Sequence, residues 1–271
     1  MQLFVDVGNT RIKWGYWNGH DLIDVNAAVH RGLNFDRLLH TIWGDMTPPK
    51  KVWVANVVDE EIQEALEAWM HTVWDRAPIF LKTEPEAFGV TNGYLEPKTL
   101  GLDRWLAMIA GFHAFEATHP VCILDFGTCL TADVVTQSGQ HLGGLILPGL
   151  QSMRQTLASS AKGCVLASKQ NQPFQSEGFF GKNTQDGIFG GTLYACVAYV
   201  ERLLNDVDRE FNGEVKTIVT GGDAKMFMNL INHEVLYKPN LVLEGISFYA
   251  NSSPGLAKKQ KATSEEIELM D

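Results

Sequence analysis

Two short stretches end an apolar run with a carboxylate and follow it with glycine and a polar side chain. In MQLFVDVGNT, Asp6, Gly8, Asn9 and Thr10 follow Leu3, Phe4 and Val5; in CILDFGTCLT, Asp125, Gly127 and Thr128 follow Cys122, Ile123 and Leu124. Glycine lets backbone approach a ligand closely, and turn amides that point one way form an anion nest. Asn and Thr add side-chain hydrogen-bonding groups. A carboxylate beside such a nest repels phosphate unless a hard cation stands between them. Mg²⁺ does this, binding one or two carboxylates together with phosphate oxygens and water. The pattern is chemically a cation-phosphate cradle. A single copy reads as an ordinary hairpin turn, because Asp, Gly and Asn are turn residues. Two copies about one domain length apart favour a ligand. A third turn, VTGGDA at 219–224, offers a side-chain-free surface on which the adenosine end of a nucleotide could lie.

These turns need strands to carry them. Residues 2–7 and 12–17 read as a hairpin, 50–58 as a strand, 59–74 as a helix capped by Asp59 with an apolar stripe of Ile62, Leu66, Trp69 and Val73, and 77–82 as a short strand. A long irregular segment, 83–100, holds Tyr94, and loops of this length are commonly functional. Helices are expected over 102–117, 150–163, 184–211 and around 224–232, with Asn183 or Thr184 capping the third. Strands are expected over VCILDFG, TADVVTQ and VKTIVT. Each half thus begins strand, Asp-x-Gly-[Asn/Thr], strand, which predicts a duplicated α/β unit with mixed sheets. The expected parts are 1–117, 118–250 and a Ser-, Lys- and Glu-rich tail over 251–271 that composition marks as mobile.

Composition bounds the function. The 271 residues are 45% apolar and 20% charged, enough for a sizeable core. No apolar run reaches the ~18 residues that span a bilayer, and no basic stretch leads into an apolar one, so a cytoplasmic protein is expected. The net charge of -10 disfavours nucleic acid and anionic membranes as partners. Cys122, Cys129, Cys164 and Cys196 lack metal-site spacing and read as buried thiols, Cys122 and Cys129 in or beside an apolar strand pattern. No histidine stands at nucleophile-base spacing, which argues against hydrolase chemistry; His113 and His119 read as helix-surface residues.

The stretches DVGNTRIKWG, GLDRWLAM, DFGTCLTADVV, GGLILPG and TGGDA, in this order, resemble the type III pantothenate kinases of the actin-like ATPase (acetate and sugar kinase) superfamily. The resemblance implies two duplicated ribonuclease H-like domains with a cleft between them, and ATP-dependent phosphorylation of the primary hydroxyl of pantothenate, the first step toward coenzyme A. It implies a homodimer, Mg²⁺ with ATP, and a monovalent cation, K⁺ or NH₄⁺. The alternative is a nucleotide-binding regulatory or accessory protein of the same fold without turnover.

The same resemblance assigns roles residue by residue. Asp6, Val7, Gly8, Asn9, Thr10, Arg11, Ile12 and Lys13 match the phosphate-binding stretch, with Asp6 orienting Mg²⁺ through water. Lys13 admits two readings, a phosphate contact or a solvated strand residue. Thr128 matches an ATP-phosphate contact and Asp125 a K⁺ ligand; the family commonly has Ala where Cys129 stands. Gly101, Leu102, Asp103 and Arg104 match the substrate motif, with Asp103 as the base and Arg104 on pantothenate. Their structural alternative is a helix start, where an acid gains about 0.3–1 kcal/mol from the helix dipole. That dipole and Arg104 would keep Asp103 ionised and weakly basic. A loose phosphoryl-transfer transition state tolerates this, because the proton leaves late. Tyr94 and Thr184 match pantothenate contacts, with packing and helix capping as the respective alternatives. Asp133, on the returning strand, reads as structural or as a group that supports a site residue from behind. The apolar residues Tyr194, Val197, Val200 and Leu203 of the helix over 184–211 fit either a dimer interface or the monomer's own core.

Overall fold

The computed structural model describes residues 1–160 and 180–252. In chain order the elements are β1 (Gln2–Val7), β2 (Arg11–Trp17), β3 (Leu22–Val29), α1 (Phe35–Trp43), β4 (Val52–Asn56), α2 (Glu60–Trp74), β5 (Ile79–Phe80), β6 (Glu86–Ala87), β7 (Val90–Thr91) and α3 (Leu102–His113). Then follow β8 (Val121–Phe126), β9 (Cys129–Val135), β10 (His141–Pro148), α4 (Leu150–Ser160), α5 (Thr184–Glu210), β11 (Lys216–Thr220), α6 (Ala224–Met228), β12 (Val235–Tyr237) and α7 (Leu241–Asn251). The chain divides into two compact units. The first comprises Met1–Phe88, Tyr94–Ala110 and the described residues from Leu241 onward; the second comprises Gly89–Gly93 and the described residues of Gly111–Asn240.

In the first unit the strand order is β3-β2-β1-β4-β5, antiparallel through β3, β2 and β1 and parallel from β1 to β4 to β5. Side chains alternate across a strand, so Leu3, Val5 and Val7 share one face of β1. That face packs with Phe35, Leu39 and Trp43 of α1 and Leu66, Trp69, Met70 and Trp74 of α2. Trp43, Trp69 and Trp74 pack ring against ring, with centroids 5.0–6.0 Å apart. Both helices start on side-chain caps: Asn34 accepts from the Arg37 amide and Asp59 from the Ile62 amide. α7 packs on β1, β2 and β4, and a side chain at Gly245 would strike the Leu106 backbone of α3.

In the second unit the order is β10-β9-β8-β11-β12, again three antiparallel strands followed by two parallel steps. β2 and β9 carry the same succession of buried and exposed residues. The duplication read from under ten residues therefore extends through the whole sheet. Cys122, Leu124 and Phe126 of β8 pack with Cys196, Val200, Leu204 and Val207 of α5 and with Leu150 and Phe227. Val200 is buried there, with Val197 and Leu203 packed against the same core, while Tyr194 is exposed. The α5 stripe is thus mainly this unit's own core.

Several expectations shift. The segment from Leu241, expected with the second part, belongs to the first unit because α7 buries its apolar side on β1, β2 and β4. α3 stops at His113, where Glu116 and Ala117 adopt left-handed backbone that cannot continue a helix. The strand over 77–82 shrinks to Ile79–Phe80, and the helix after 224 to Ala224–Met228. β3 and α1 form where no element was predicted. Cys164 and the part of the tail beyond Ser252 lie outside the described residues, as does the end of the helix expected over 150–163 beyond Ser160.

Candidate active site

The first turn closes β1 onto β2. The Gly8 N–H donates to the Arg11 carbonyl at 3.0 Å, leaving Asn9 and Thr10 as the loop. Asp6, half-buried, lies on the face of β1 shared with Phe4, opposite the α1/α2 core. It stands directly across from Lys13 in register, so a carboxylate and an ammonium lie on one face of the hairpin. Lys13 is half-buried. Val7 and Ile12, also paired in register, are buried in the core. Only their backbone is open to a ligand. Arg11 is exposed.

The substrate motif forms the start of α3. The Trp105 amide donates to the Gly101 carbonyl at 3.0 Å, which starts the helix, and the Asp103 carboxylate accepts from the Arg104 amide at 2.8 Å. A Cβ at Gly101 would lie 2.7 Å from Asp103 Oδ1. Glycine leaves room for the carboxylate folded over it, and a larger residue would push that carboxylate aside. Asp103 is half-exposed, whereas Leu102 and Arg104 are buried. Arg104 Nη1 donates to the Tyr94 hydroxyl at 2.7 Å, and the guanidinium lies 5.4 Å from the Tyr94 ring centroid. The structure therefore brings Tyr94, Gly101, Asp103 and Arg104 into one cluster. The next residue, Trp105, donates its indole N–H to the Tyr249 hydroxyl at 3.0 Å, which donates to Glu84 at 2.8 Å. Burial, first, and then Glu84 hold the Tyr249 phenol well above its ordinary pKa, against the opposing effect of the Trp105 bond.

In the second unit the turn is one residue tighter. Gly127 N–H donates to the Cys129 carbonyl at 3.0 Å, so only Thr128 lies between them. Asp125 is half-buried at the end of β8, and Thr128 is exposed; so is Cys129, contrary to its expected burial, because it follows the turn at the start of β9 rather than facing the core. The glycine turn after β11 packs onto this carboxylate. Gly221 has φ +97°, and a Cβ there would overlap both Asp125 Oδ1 and the Phe126 backbone. The Asp223 amide donates to the Phe126 carbonyl at 3.0 Å. Two of the predicted turns, Asp125-x-Gly and Gly221-Gly222, are therefore one structure. The start of α4 buttresses it: Gly149 N–H and Ser152 Oγ–H both donate to the Thr128 carbonyl at 2.9 Å. Gly149 lies in the quoted LPG sequence; Ser152 carried no sequence signal.

α5 is capped by Asn183, whose Oδ1 accepts from the Asp186 amide at 2.9 Å. Thr184 is the first helical residue and exposed, so it is not the cap. Asp133 is buried and accepts from His141 Nε2 at 3.0 Å, while His141 Nδ1 accepts from the Gly93 amide at 3.3 Å. This agrees with a structural Asp133. His141 carries no sequence signal, because a lone histidine on a strand is marked by neither type nor spacing.

The profile of the type III pantothenate kinases matches residues 2–206. A type III pantothenate kinase of Nitrosococcus oceani is 36% identical over 256 residues, covering 93% of this chain and 95% of the relative. One of Alcanivorax borkumensis is 33% identical over 247 residues, covering 91% and 97%. Among solved structures, MreB 5 of Spiroplasma citri superposes with TM-score 0.50 at 13% identity, covering 97% of this chain and 98% of that one. That likeness concerns the fold, which is the actin-like one. With the profile spanning most of its length and relatives aligned nearly end to end, this chain belongs to the type III pantothenate kinase family.

Proposed function

We propose that this protein transfers the γ-phosphoryl group of ATP to the primary hydroxyl of pantothenate, giving 4′-phosphopantothenate and ADP and opening coenzyme A synthesis. The observation that carries this reading is the cluster at the start of α3: a half-exposed Asp103 beside Arg104, which is hydrogen-bonded to Tyr94. Arg104 and Tyr94 bind pantothenate, with Gly101 and Leu102 shaping the helix start and Thr184 adding a hydroxyl. Asp103 aligns the acceptor hydroxyl. As the oxygen bonds to the γ-phosphorus and the bond to the ADP oxygen breaks, Asp103 collects the hydroxyl proton. Positioning and charge neutralisation carry most of the rate, so a weakly basic carboxylate suffices.

The first turn, Asp6 to Lys13, holds phosphate oxygens through Gly8, Asn9 and Thr10, and Thr128 makes a further phosphate contact. The donor set suits Mg²⁺. Asp6 supplies one hard carboxylate beside turn amides, and the described residues contain no group of three or more His, Cys, Asp or Glu able to hold a metal alone. A cation at Asp6 would therefore complete its shell with phosphate and water, as Mg²⁺ does. Mg²⁺ neutralises charge on the transferring phosphoryl group. Asp125, closed in by Gly127 and Gly221, is assigned to a monovalent cation, K⁺ or NH₄⁺.

A second copy of the chain is the proposed partner. The second unit exposes apolar side chains at Leu142, Leu145 and Ile146 of the sheet-edge strand β10, and at Leu157 and Tyr194. An uncovered apolar edge strand invites pairing. The proposed location is the cytoplasm; no helix among the described residues is long and apolar enough to cross a membrane. The test is an ADP-release assay with pantothenate, MgATP and either K⁺, NH₄⁺ or Na⁺. Pantothenate-dependent release with K⁺ or NH₄⁺ and little with Na⁺ is expected. Release that pantothenate does not stimulate in any salt would overturn the reading in favour of a non-catalytic nucleotide-binding protein.

A further inference from the structure

The segment after β3 folds back onto the first turn through a buried histidine. His30 is 6% exposed. Its Nε2 lies 2.6 Å from the Gly8 carbonyl oxygen, and its backbone N–H donates to the Thr10 carbonyl at 3.1 Å. The Arg31 N–H approaches the same Thr10 oxygen at 3.4 Å. A carbonyl only accepts, so Nε2 carries the proton. Phe35 holds the imidazole edge-to-face, with ring centroids 5.6 Å apart at 77°. Both ends of the Asn9-Thr10 loop are thus gripped by their carbonyls from one side.

This grip has a consequence for the amides. In a planar trans peptide the C=O and the following N–H point in opposite directions. Holding the Gly8 carbonyl toward His30 turns the Asn9 N–H away from it, and holding the Thr10 carbonyl does the same for the Arg11 N–H. Without the ring, the Gly8–Asn9 peptide could rotate and present a carbonyl oxygen where a phosphate oxygen should be received. We infer that His30 is a positioning residue for phosphate binding, fixing the peptide orientation of the first turn without touching the ligand. This rests on the reading that the turn binds ATP phosphates.

The test compares His30→Leu, which removes the donor, with His30→Gln, whose amide N–H reaches to a similar depth. Affinity for Mg²⁺-AMPPNP is read by calorimetry, beside KM for ATP and for pantothenate. His30→Leu should weaken AMPPNP binding and raise the ATP KM about ten-fold, the effect of one buried acceptor left unpaired. The pantothenate KM should stay within about two-fold and His30→Gln should recover most of the loss. Unchanged AMPPNP affinity in a folded His30→Leu protein would overturn the proposal. So would equal losses for both substrates with no recovery in His30→Gln, which describe a packing residue. Should His30→Leu not fold, ¹⁵N NMR of the wild type decides. An Nε2–H tautomer whose proton shifts with AMPPNP but not with pantothenate supports the role, and an Nδ1–H tautomer overturns it. Wild-type protein that binds AMPPNP yet shows no pantothenate-dependent ADP release would refute the acceptor and leave the His30 comparison intact. Wild type that binds no AMPPNP would refute the phosphate-turn reading and this inference with it.

Discussion

At the scale of single residues, chemistry was most legible where a backbone constraint accompanies it. Gly101 stands beside the Asp103 carboxylate and is near it in sequence, whereas Gly221 meets Asp125 only through the fold. Residues that act through ordinary geometry left no such trace: His30, His141 and Ser152 are of common types at unremarkable spacing. Cysteine environments make a prediction at this scale. Cys129 is exposed beside Thr128, whereas Cys122 and Cys196 are buried. Burial pushes the Cys122 thiol up to about 12, with Asp133 and Asp208 adding to it. Only a thiolate reacts readily. Brief iodoacetamide treatment of native protein near neutral pH should therefore label Cys129 and spare Cys122 and Cys196, and MgATP should slow the labelling of Cys129. Peptide mapping by mass spectrometry reads this. Equal labelling of Cys122 and Cys129 would refute the burial assignment, and labelling indifferent to MgATP would separate Cys129 from the nucleotide.

At the scale of elements, strongly periodic segments are legible in the sequence and weakly patterned ones are not. α2 begins and ends within a residue of its expected bounds because Asp59 caps it and its apolar stripe is regular. β3 has four exposed residues among its eight, Asp24, Asn26, Ala27 and Val29, and none fully buried, so no alternation announces it. α7 is apolar nearly throughout, which hid both its helical period and the unit it joins. α5 separates two roles that the sequence left joined. Asn183 is the cap and Thr184 the exposed first residue. Asn183→Ala should cost about 1 kcal/mol and lower Tm by about 2–4 °C, read by circular dichroism. Thr184→Ala should leave Tm in place and raise the pantothenate KM up to about ten-fold, with the ATP KM unchanged. The opposite pattern, a Tm loss in Thr184→Ala with normal pantothenate KM, would return Thr184 to a structural role.

For the whole molecule, duplication was the feature most visible in the sequence, and the structure extends it from two turns to two sheets of matching strand order. The turns themselves differ by one residue, which the shared Asp-x-Gly pattern concealed. Buried acids also set the response of the fold to alkali. The Cys122 thiol stays neutral in the folded state up to about 12, against 9.0 for the ordinary group, and the Tyr249 phenol is raised in the same direction. Such groups hold their protons more tightly folded than unfolded, so their contribution is whole below 9.0 and is lost as pH climbs toward 12. Urea midpoints should fall between pH 8 and roughly 10.5, and fall less steeply in Cys122→Ala; identical slopes would remove the buried thiol as a cause.

The central claim is that Asp103 receives the proton of a pantothenate hydroxyl as that hydroxyl takes the γ-phosphoryl group. A single-turnover reaction with MgATP, K⁺ and pantothenate, followed by ³¹P NMR, addresses it most directly. Wild type should convert the γ-phosphate to a phosphomonoester on the primary alcohol, and Asp103→Asn should bind both substrates yet form it at least about 100-fold more slowly. Phosphomonoester formed at the wild-type rate by Asp103→Asn would contradict the account.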